Sequence, residues 1–341
     1  MDSSDDTQRA NHLLRLINGS WIAQACYVIV RLRVPDLLAS GPRSAEDLAA
    51  ATGAHAPSLR RLLNALCSVD LCAQRDHGTF ELTDLGALLR SDHPSSLHAW
   101  TLHWGGNSWL AWANLLHSIR TGQGTRELIV GTPGFTHLDH NPEAAAIFNQ
   151  AMAQLTRLAA LEVVKAYDFG GKKVMDVGGG YGELLAHTLI AHPTATGVLF
   201  DMAHAISKAR DTFAERGLDG RCEFVAGDFF DSIPSGADIY MLKSVIHDWP
   251  DDRAIAILRT CQRAMRPNAR LLLVERMMPD RLTASAQSES LARGDLHMLV
   301  ALGAQERTHA EFETLLRAAG LKTLRLIDTG GDYQLIEAGR E

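Results

Sequence analysis

The stretch Val174-Met175-Asp176-Val177-Gly178-Gly179-Gly180-Tyr181-Gly182-Glu183 leaves this chain few folds to choose from. Its apolar run reads as a buried parallel strand, and its glycine cluster as a tight turn into a helix. Glycines there let a ligand approach the backbone closely, because no Cβ stands in the way. A second apolar run, Gly197-Val198-Leu199-Phe200, ends in Asp201, an acid placed to accept hydrogen bonds from ribose hydroxyls. The segment is read as the start of an α/β sheet with a nucleoside-cofactor site at its strand ends.

Which nucleoside follows from the spacing. A nicotinamide or flavin dinucleotide site wants G-x-G-x-x-G, the third glycine serving helix packing. Here the pattern from Gly178 is G-x-G-x-G, and Glu183 occupies the third-glycine position. A pyrophosphate set against Asp176 and Glu183 would meet like charge. No G-K-[S/T] follows the glycines, which excludes a P-loop. S-adenosylmethionine carries a sulfonium and an ammonium and no phosphate, and it is the expected cofactor.

The rest of this half alternates strands and helices, which implies a parallel sheet covered on both faces. Strands are expected at Lys173–Val177, Gly197–Asp201, Cys222–Ala226, Asp238–Lys243 and Leu271–Glu275. The last two, Leu321–Asp328 and Tyr333–Ala338, are joined by the reverse-turn signal Thr329-Gly330-Gly331-Asp332. Before them, Thr308 and Glu311 form a capping box, with Gly320 just past the end of that helix. A long helix from Pro142 to about Lys165 leads into the sheet.

The N-terminal part is read as helical over residues 8 to 40. Two helices follow, the first capped by Ser44 and Asp47, and then a hairpin about Asp76-His77-Gly78. This order resembles a winged helix, which raises DNA binding. Between Gly41 and Asp92, however, five basic residues face seven acidic ones, and the whole chain carries a net charge of −7. Such a module repels phosphates, so it is expected to serve packing or dimerisation rather than nucleic acid. Residues 8 to 40 offer more apolar face than one such module covers, and a homodimer is expected. The domain boundaries read as 1–100, 101–165 and 166–341, the middle segment being a helical linker that lines the acceptor pocket.

No apolar run reads as the 18–20 residues, roughly, of a membrane span, and the acidic start Met1-Asp2-Ser3-Ser4-Asp5-Asp6 is no secretory signal. Five cysteines without metal-type pairing read as reduced thiols. A cytoplasmic protein without membrane or metal is expected.

Ligands in open α/β sheets bind beyond the carboxyl ends of the strands. Those ends hold Asp176 to Gly182, Asp201, Asp228-Phe229, Lys243 to Trp249 and Glu275. Asp201 is assigned to the ribose, and Asp228 and Phe229 to the adenine amine and ring. His247 stands at a strand end where the group being modified must sit. With an ordinary pKa near 6.5 it can take a phenol proton at neutral pH. Glu275 and Glu306 are the candidate carboxylates to orient it. Trp100, Trp104, Trp109 and Trp112 suit a flat hydrophobic pocket or an interface.

Asp176-Val177-Gly178-Gly179-Gly180, Gly227-Asp228-Phe229, the run Leu242 to Asp252, and Gly303-Ala304-Gln305-Glu306-Arg307-Thr308 together carry a family resemblance. Nearly the whole chain resembles the class I S-adenosylmethionine-dependent O-methyltransferases. Within them it is similar to the group containing caffeate, hydroxyindole and bacterial polyketide or phenazine methyltransferases. The resemblance implies a Rossmann-like seven-stranded sheet, mostly parallel with an antiparallel terminal hairpin, and an N-terminal winged-helix dimerisation domain. It implies His247 as general base, flanked by Glu275 and Glu306. Gly178, Asp201, Asp228, Phe229 and Lys243 match the cofactor contacts, and Asp176 and Gly180 belong to the same glycine turn. Met152 and Asp295 match positions against the acceptor. With Trp104, Trp109 and Met298, Met152 suggests a planar hydroxylated aromatic of phenazine or polyketide type. Ser244 departs from plant members, which often carry tryptophan there, so the adenine is expected to have a looser lid. Three alternatives compete: methylation of an aromatic nitrogen, a dinucleotide oxidoreductase, and a winged-helix regulator with a degenerate ligand domain.

Overall fold

The computed structural model describes residues 3–132 and 134–341. They fall into two compact units, Met1–Trp109 and Leu110–Glu341.

In the first unit the long helix Ser3–Arg31 is followed by the short helix Val34–Leu38. The expected helical run breaks at Arg33, which adopts a left-handed φ of 56° ahead of Pro35. Ser44 caps the helix Ala45–Thr52 by accepting the Asp47 amide at 3.0 Å, and Gly53 closes it at φ 69°. The helix Ala56–Cys67 and a hairpin of Cys72–Gln74 with Thr79–Leu82 follow, and a short strand at Arg43–Ser44 adds a third rung. Ile29, Leu48, Leu63, Leu66 and Phe80 form the core. On the long helix, by contrast, Leu13, Leu14, Leu16, Ile17 and Trp21 are all more than half exposed. By length and composition alone, Asp5–Arg31 is long and apolar enough to cross a membrane, although Arg9 and Arg15 interrupt its apolar runs. Individual charged residues hide it from a search for uninterrupted apolar runs.

The second unit is built on seven strands, labelled here in chain order. They are β1 (Lys173–Val177), β2 (Thr196–Asp201), β3 (Cys222–Ala226), β4 (Ile239–Lys243), β5 (Arg270–Glu275), β6 (Leu321–Asp328) and β7 (Gln334–Arg340). Their order in the sheet is β3-β2-β1-β4-β5-β7-β6, parallel except for β7, which runs antiparallel to both β5 and β6. The expected strands appear with end shifts of at most two residues. Alternation along each strand feeds two cores. Met175, Val177, Tyr240, Leu242 and Leu273 face Ile257, Leu258, Phe312 and Leu316 on one side. Val174, Leu199, Met241 and Leu272 face Val163, Leu185, Leu189 and Phe213 on the other. Each such side chain contributes about 1.5–3 kcal/mol on burial, so the strand positions are strongly specified. The strand order reverses between β1 and β4, and the crevice that binds ligands in such sheets opens there.

Candidate active site

The turn after β1 is made of left-handed glycines: Gly178 at φ 73°, Gly180 at 59° and Gly182 at 76°. A Cβ on Gly182 would meet the Phe213 ring at 2.6 Å, and one on Gly179 would meet the Asp176 carboxyl at 2.6 Å. The turn is tied to the next strand end. Gly178 donates to the Phe200 carbonyl at 2.8 Å, and Gly180 to Asp201 Oδ2 at 2.7 Å. Asp201 Oδ1 accepts the Met202 amide at 2.6 Å, which leaves its second lone pairs for a ligand. Burial raises the Asp201 pKa.

Asp176 does not share this openness. It is 2% exposed beneath the turn, and burial together with Asp201 pushes its pKa up to about 7. Its place is structural support under the glycines. Glu183 likewise turns away: Arg157 at 3.0 Å, Arg216 at 2.8 Å and His187 at 3.2 Å hold its carboxylate. The like-charge argument against a pyrophosphate, drawn from these two acids, is corrected accordingly. Burial shields one and cations neutralise the other, so the glycine spacing carries that exclusion.

Around the turn stand aromatic and acidic groups. Phe229 approaches to 3.5 Å of where a Gly178 Cβ would lie, and Val245 to 3.0 Å. Asp228 Oδ1 accepts the Phe230 amide at 2.8 Å, which sets the Asp228-Phe229 turn. Lys243, ending β4, places Nζ 4.7 Å from the centre of the Tyr333 ring. Tyr333 is held below the usual phenol range: burial raises its pKa, but Lys243 and the Ser244 hydroxyl at 3.4 Å outweigh that. Asn149 lies 3.5 Å from the Cβ position of Gly180, so its helix Pro142–Ala166 passes over the turn. Met152 shares that face at i+3.

Glycines without Cβ, two carboxylate-bearing strand ends and an aromatic ring make a cradle for a nucleoside bearing cationic rather than phosphate groups. The residues present fit S-adenosylmethionine.

Beyond β4, Ser244 takes φ 53° and the chain forms a short 3-10 turn at Ile246–Asp248. His247 sits in that turn, its side chain 11% exposed. Its Nδ1 is 3.0 Å from Glu306 Oε1 and 3.9 Å from Glu275 Oε2, and its Nε2 is 3.6 Å from Asp248 Oδ1. Burial alone would lower the His247 pKa. Glu306, Asp248 and Glu275 overcome that and lift it to about 10. The expectation of a base titrating near 6.5 is corrected: three acids surround this imidazole and stabilise its charged form. Glu275 is itself raised to about 7, by burial first, partly offset by His247.

The turn is fixed from behind. Glu275 Oε1 accepts the amides of Val245 at 3.3 Å and Ile246 at 3.0 Å. Arg307, fully buried, donates to the carbonyls of Ile246 at 3.0 Å and Trp249 at 2.7 Å and to Asp251 at 2.8 Å. Asp295 Oδ1 accepts the Glu306 amide at 2.9 Å, so this candidate acceptor contact also positions the acid beside His247. Glu275 Oε2 and Glu306 Oε2 are buried without a hydrogen-bond partner among the described residues. His247, Glu275 and Glu306 bring ligand-type atoms within 4.8 Å of one another.

Met298 lies at i+3 from Asp295 on the helix Ala286–Leu302. Between them His297 Nδ1 accepts the Trp112 indole N–H at 3.0 Å. Trp104 and Trp109 belong to the first unit. The tryptophan that joins the histidine-bearing unit is therefore Trp112. Sequence reasoning also passed over Asp248, Arg126, His297 and Tyr333. Asp248 was visible beside His247 and His297 stands between Asp295 and Met298 on the helix Ala286–Leu302, whereas Arg126 and Tyr333 lie on a short helix and a turn with no motif of their own.

The O-methyltransferase domain family matches residues 112–322, and the O-methyltransferase dimerisation domain family matches residues 14–92. The phenazine O-methyltransferase of Lysobacter antibioticus is 42% identical over 328 residues, covering 96% of this chain and 95% of that protein. The crystal structure of LaPhzM superposes with a TM-score of 0.94 at 41% identity, covering 97% of this chain and 99% of that one. An O-methyltransferase from neocarzinostatin biosynthesis, crystallised with S-adenosylmethionine and 2-hydroxy-5-methyl naphthoic acid, gives 0.81 at 35% identity. That match covers 94% of this chain and 96% of that one.

Proposed function

The chain belongs to the O-methyltransferase family, and from that premise we propose that it methylates a hydroxyl of a planar aromatic small molecule with His247 as base. It is an S-adenosylmethionine-dependent O-methyltransferase. The observation that carries the assignment of the base is the acid-surrounded imidazole of His247, 3.0 Å from Glu306, at the strand end beside the glycine turn.

When bound, the cofactor supplies a sulfonium methyl open to in-line attack by oxygen. The protein's own part is proton management and positioning. Nδ1–H donates to Glu306, which fixes the ring and leaves Nε2 to receive the hydroxyl proton. Because Glu306, Asp248 and Glu275 raise the imidazole pKa, a proton taken from the phenol is held on the histidine while negative charge develops on the oxygen. That is the state in which oxygen attacks. Glu275 and Arg307 keep the turn rigid, so the oxygen is held in near-attack geometry. Gly178, Gly180, Asp201, Asp228, Phe229 and Lys243 are assigned to the cofactor, and Met152 and Met298 to the acceptor. The flat, aromatic acceptor class is supported by the phenazine and naphthoate names of the relatives.

The exposed apolar face of Ser3–Arg31, in the segment that the dimerisation family matches from residue 14, is assigned to a subunit interface in a homodimer. The test of the reaction is incubation with methyl-labelled S-adenosylmethionine and hydroxyphenazines or naphthols, the methyl position being read by NMR. An O-methyl product is expected; an N-methyl product from an acceptor offering both atoms contradicts the assignment.

A further inference from the structure

Arg126 opens the short helix Arg126–Val130 and is only 7% exposed. A guanidinium has five N–H donors. Here Nη2 donates to the Gly134 carbonyl at 2.8 Å, and the Phe135 ring lies 4.9 Å from Cζ. Among the described residues no carboxylate forms an ion pair with it. The contrast is Arg307, fully buried, which meets Asp251 and two carbonyls. A buried cation without an anion costs several kcal/mol, roughly, unless something else supplies the charge.

Its surroundings are those of the active site. Phe135 packs against Phe148 with ring centres 5.4 Å apart and against Trp249 at 6.1 Å. Trp249 follows directly on the His247 turn. Arg126 lies close enough to Asp248 to be partly held in its charged form against burial. It also lowers the pKa of His297, which burial has already pushed down to about 4. His297 therefore stays neutral and supplies no second positive charge. Arg126 stands as a buried guanidinium walled by the rings of Phe135, Phe148 and Trp249, next to the turn that carries the base.

We propose that Arg126 recognises an anionic oxygen substituent of the aromatic acceptor, a ring carboxylate, and so selects acidic acceptors over neutral ones. The proposal rests on the reading of this space as the acceptor pocket. A guanidinium meets a carboxylate with two parallel hydrogen bonds, a geometry that lysine does not reproduce. The carboxylate sits away from the reacting hydroxyl, so Arg126 is a specificity-determining residue and takes no part in proton transfer.

The test is calorimetric titration of the S-adenosylhomocysteine-bound dimer with phenazine-1-carboxylate and with unsubstituted phenazine as probes. It is run on the wild type, Arg126→Met and Arg126→Lys. Methyl transfer to 1-hydroxyphenazine is followed in parallel. The wild type is expected to bind the carboxylate at least about tenfold tighter than phenazine. Arg126→Met should abolish that preference while leaving phenazine binding in place, and Arg126→Lys should retain part of it. Equal affinity of the wild type for both probes overturns the proposal without any variant, and so does a preference that survives in Arg126→Met. In either case continued methylation of 1-hydroxyphenazine leaves the assigned reaction standing. A carboxylate preference lost in Arg126→Met, in a protein that transfers no methyl to any hydroxyl, supports the Arg126 site and contradicts the assigned reaction instead.

Discussion

Replacing Glu306 by glutamine keeps the shape beside His247 and removes one charge. In the structure Glu306 Oε1 lies 3.0 Å from His247 Nδ1. Two unit charges about 4 Å apart interact by about 4 kcal/mol at an effective dielectric of 20. The glutamine carbonyl still accepts the Nδ1–H, and a neutral hydrogen bond is roughly half as strong as a charge-assisted one. About 2 kcal/mol of imidazolium stabilisation is then lost, or roughly 1.5 pKa units at 1.36 kcal/mol per unit. The sign follows from the direction of the shift. The acids raise the His247 pKa, so removing one must lower it. The assay is kcat/KM against pH for a phenolic acceptor, in wild type and Glu306→Gln. The rising limb belongs to the whole cluster of His247, Asp248 and Glu275. It should move to lower pH by about 1–2 units, and the plateau should fall by roughly tenfold to a hundredfold as the weaker base holds the proton less well. A limb that stays in place, or moves upward, refutes the view that Glu306 sets the basicity of His247.

Arg307→Met strands the carbonyls of Ile246 and Trp249 inside the protein. At about 1–3 kcal/mol for each buried unsatisfied group, thermal or urea denaturation should show a loss of roughly 2–5 kcal/mol, and a loss under 1 kcal/mol contradicts the clamp. Gly178→Ala forces a side chain into φ 73° with its Cβ 3.0 Å from Val245. Calorimetric affinity for S-adenosylhomocysteine should fall at least about tenfold from that strain, and an unchanged affinity removes the glycine turn from the cofactor site. Glu183 is held well below the usual carboxylate range because His187, Arg157 and Arg216 outweigh its burial. Its stabilising contribution is therefore complete above the ordinary carboxylate pKa and lost as the pH falls below it. Glu183→Gln should lower Tm most at pH 7 and by a smaller but still measurable amount near pH 3, because its own depressed pKa lies lower still, and an equal drop at both contradicts the linkage.

The second unit was legible in the sequence almost strand by strand. Parallel strands buried on both faces leave apolar runs such as Leu271-Leu272-Leu273-Val274, and their acidic or glycine ends mark the ligand edge. His247, Glu275 and Glu306 were found because two are strand-end residues and the third stands in a sequence signature. Their meeting within 4.8 Å needed the structure, and so did the consequence that the histidine is a far stronger base than a free imidazole. Asp176 and Asp295 were legible as site residues, but the contacts that fix them were not. One is buried under the turn and the other holds a backbone amide, and neither fact leaves a trace in residue order. Arg126 was invisible because a lone arginine in a loop region reads as a solvated surface charge. The exposed apolar face of Ser3–Arg31 was anticipated from the helical spacing of its apolar residues.

The most direct test is single-turnover methyl transfer from labelled S-adenosylmethionine to a hydroxyphenazine, comparing wild type with His247→Ala at equal cofactor occupancy. The O-methyl product should form at least about 10²-fold more slowly in the variant, the usual cost of a lost general base. An unchanged transfer rate in His247→Ala would contradict the role of His247 as the base.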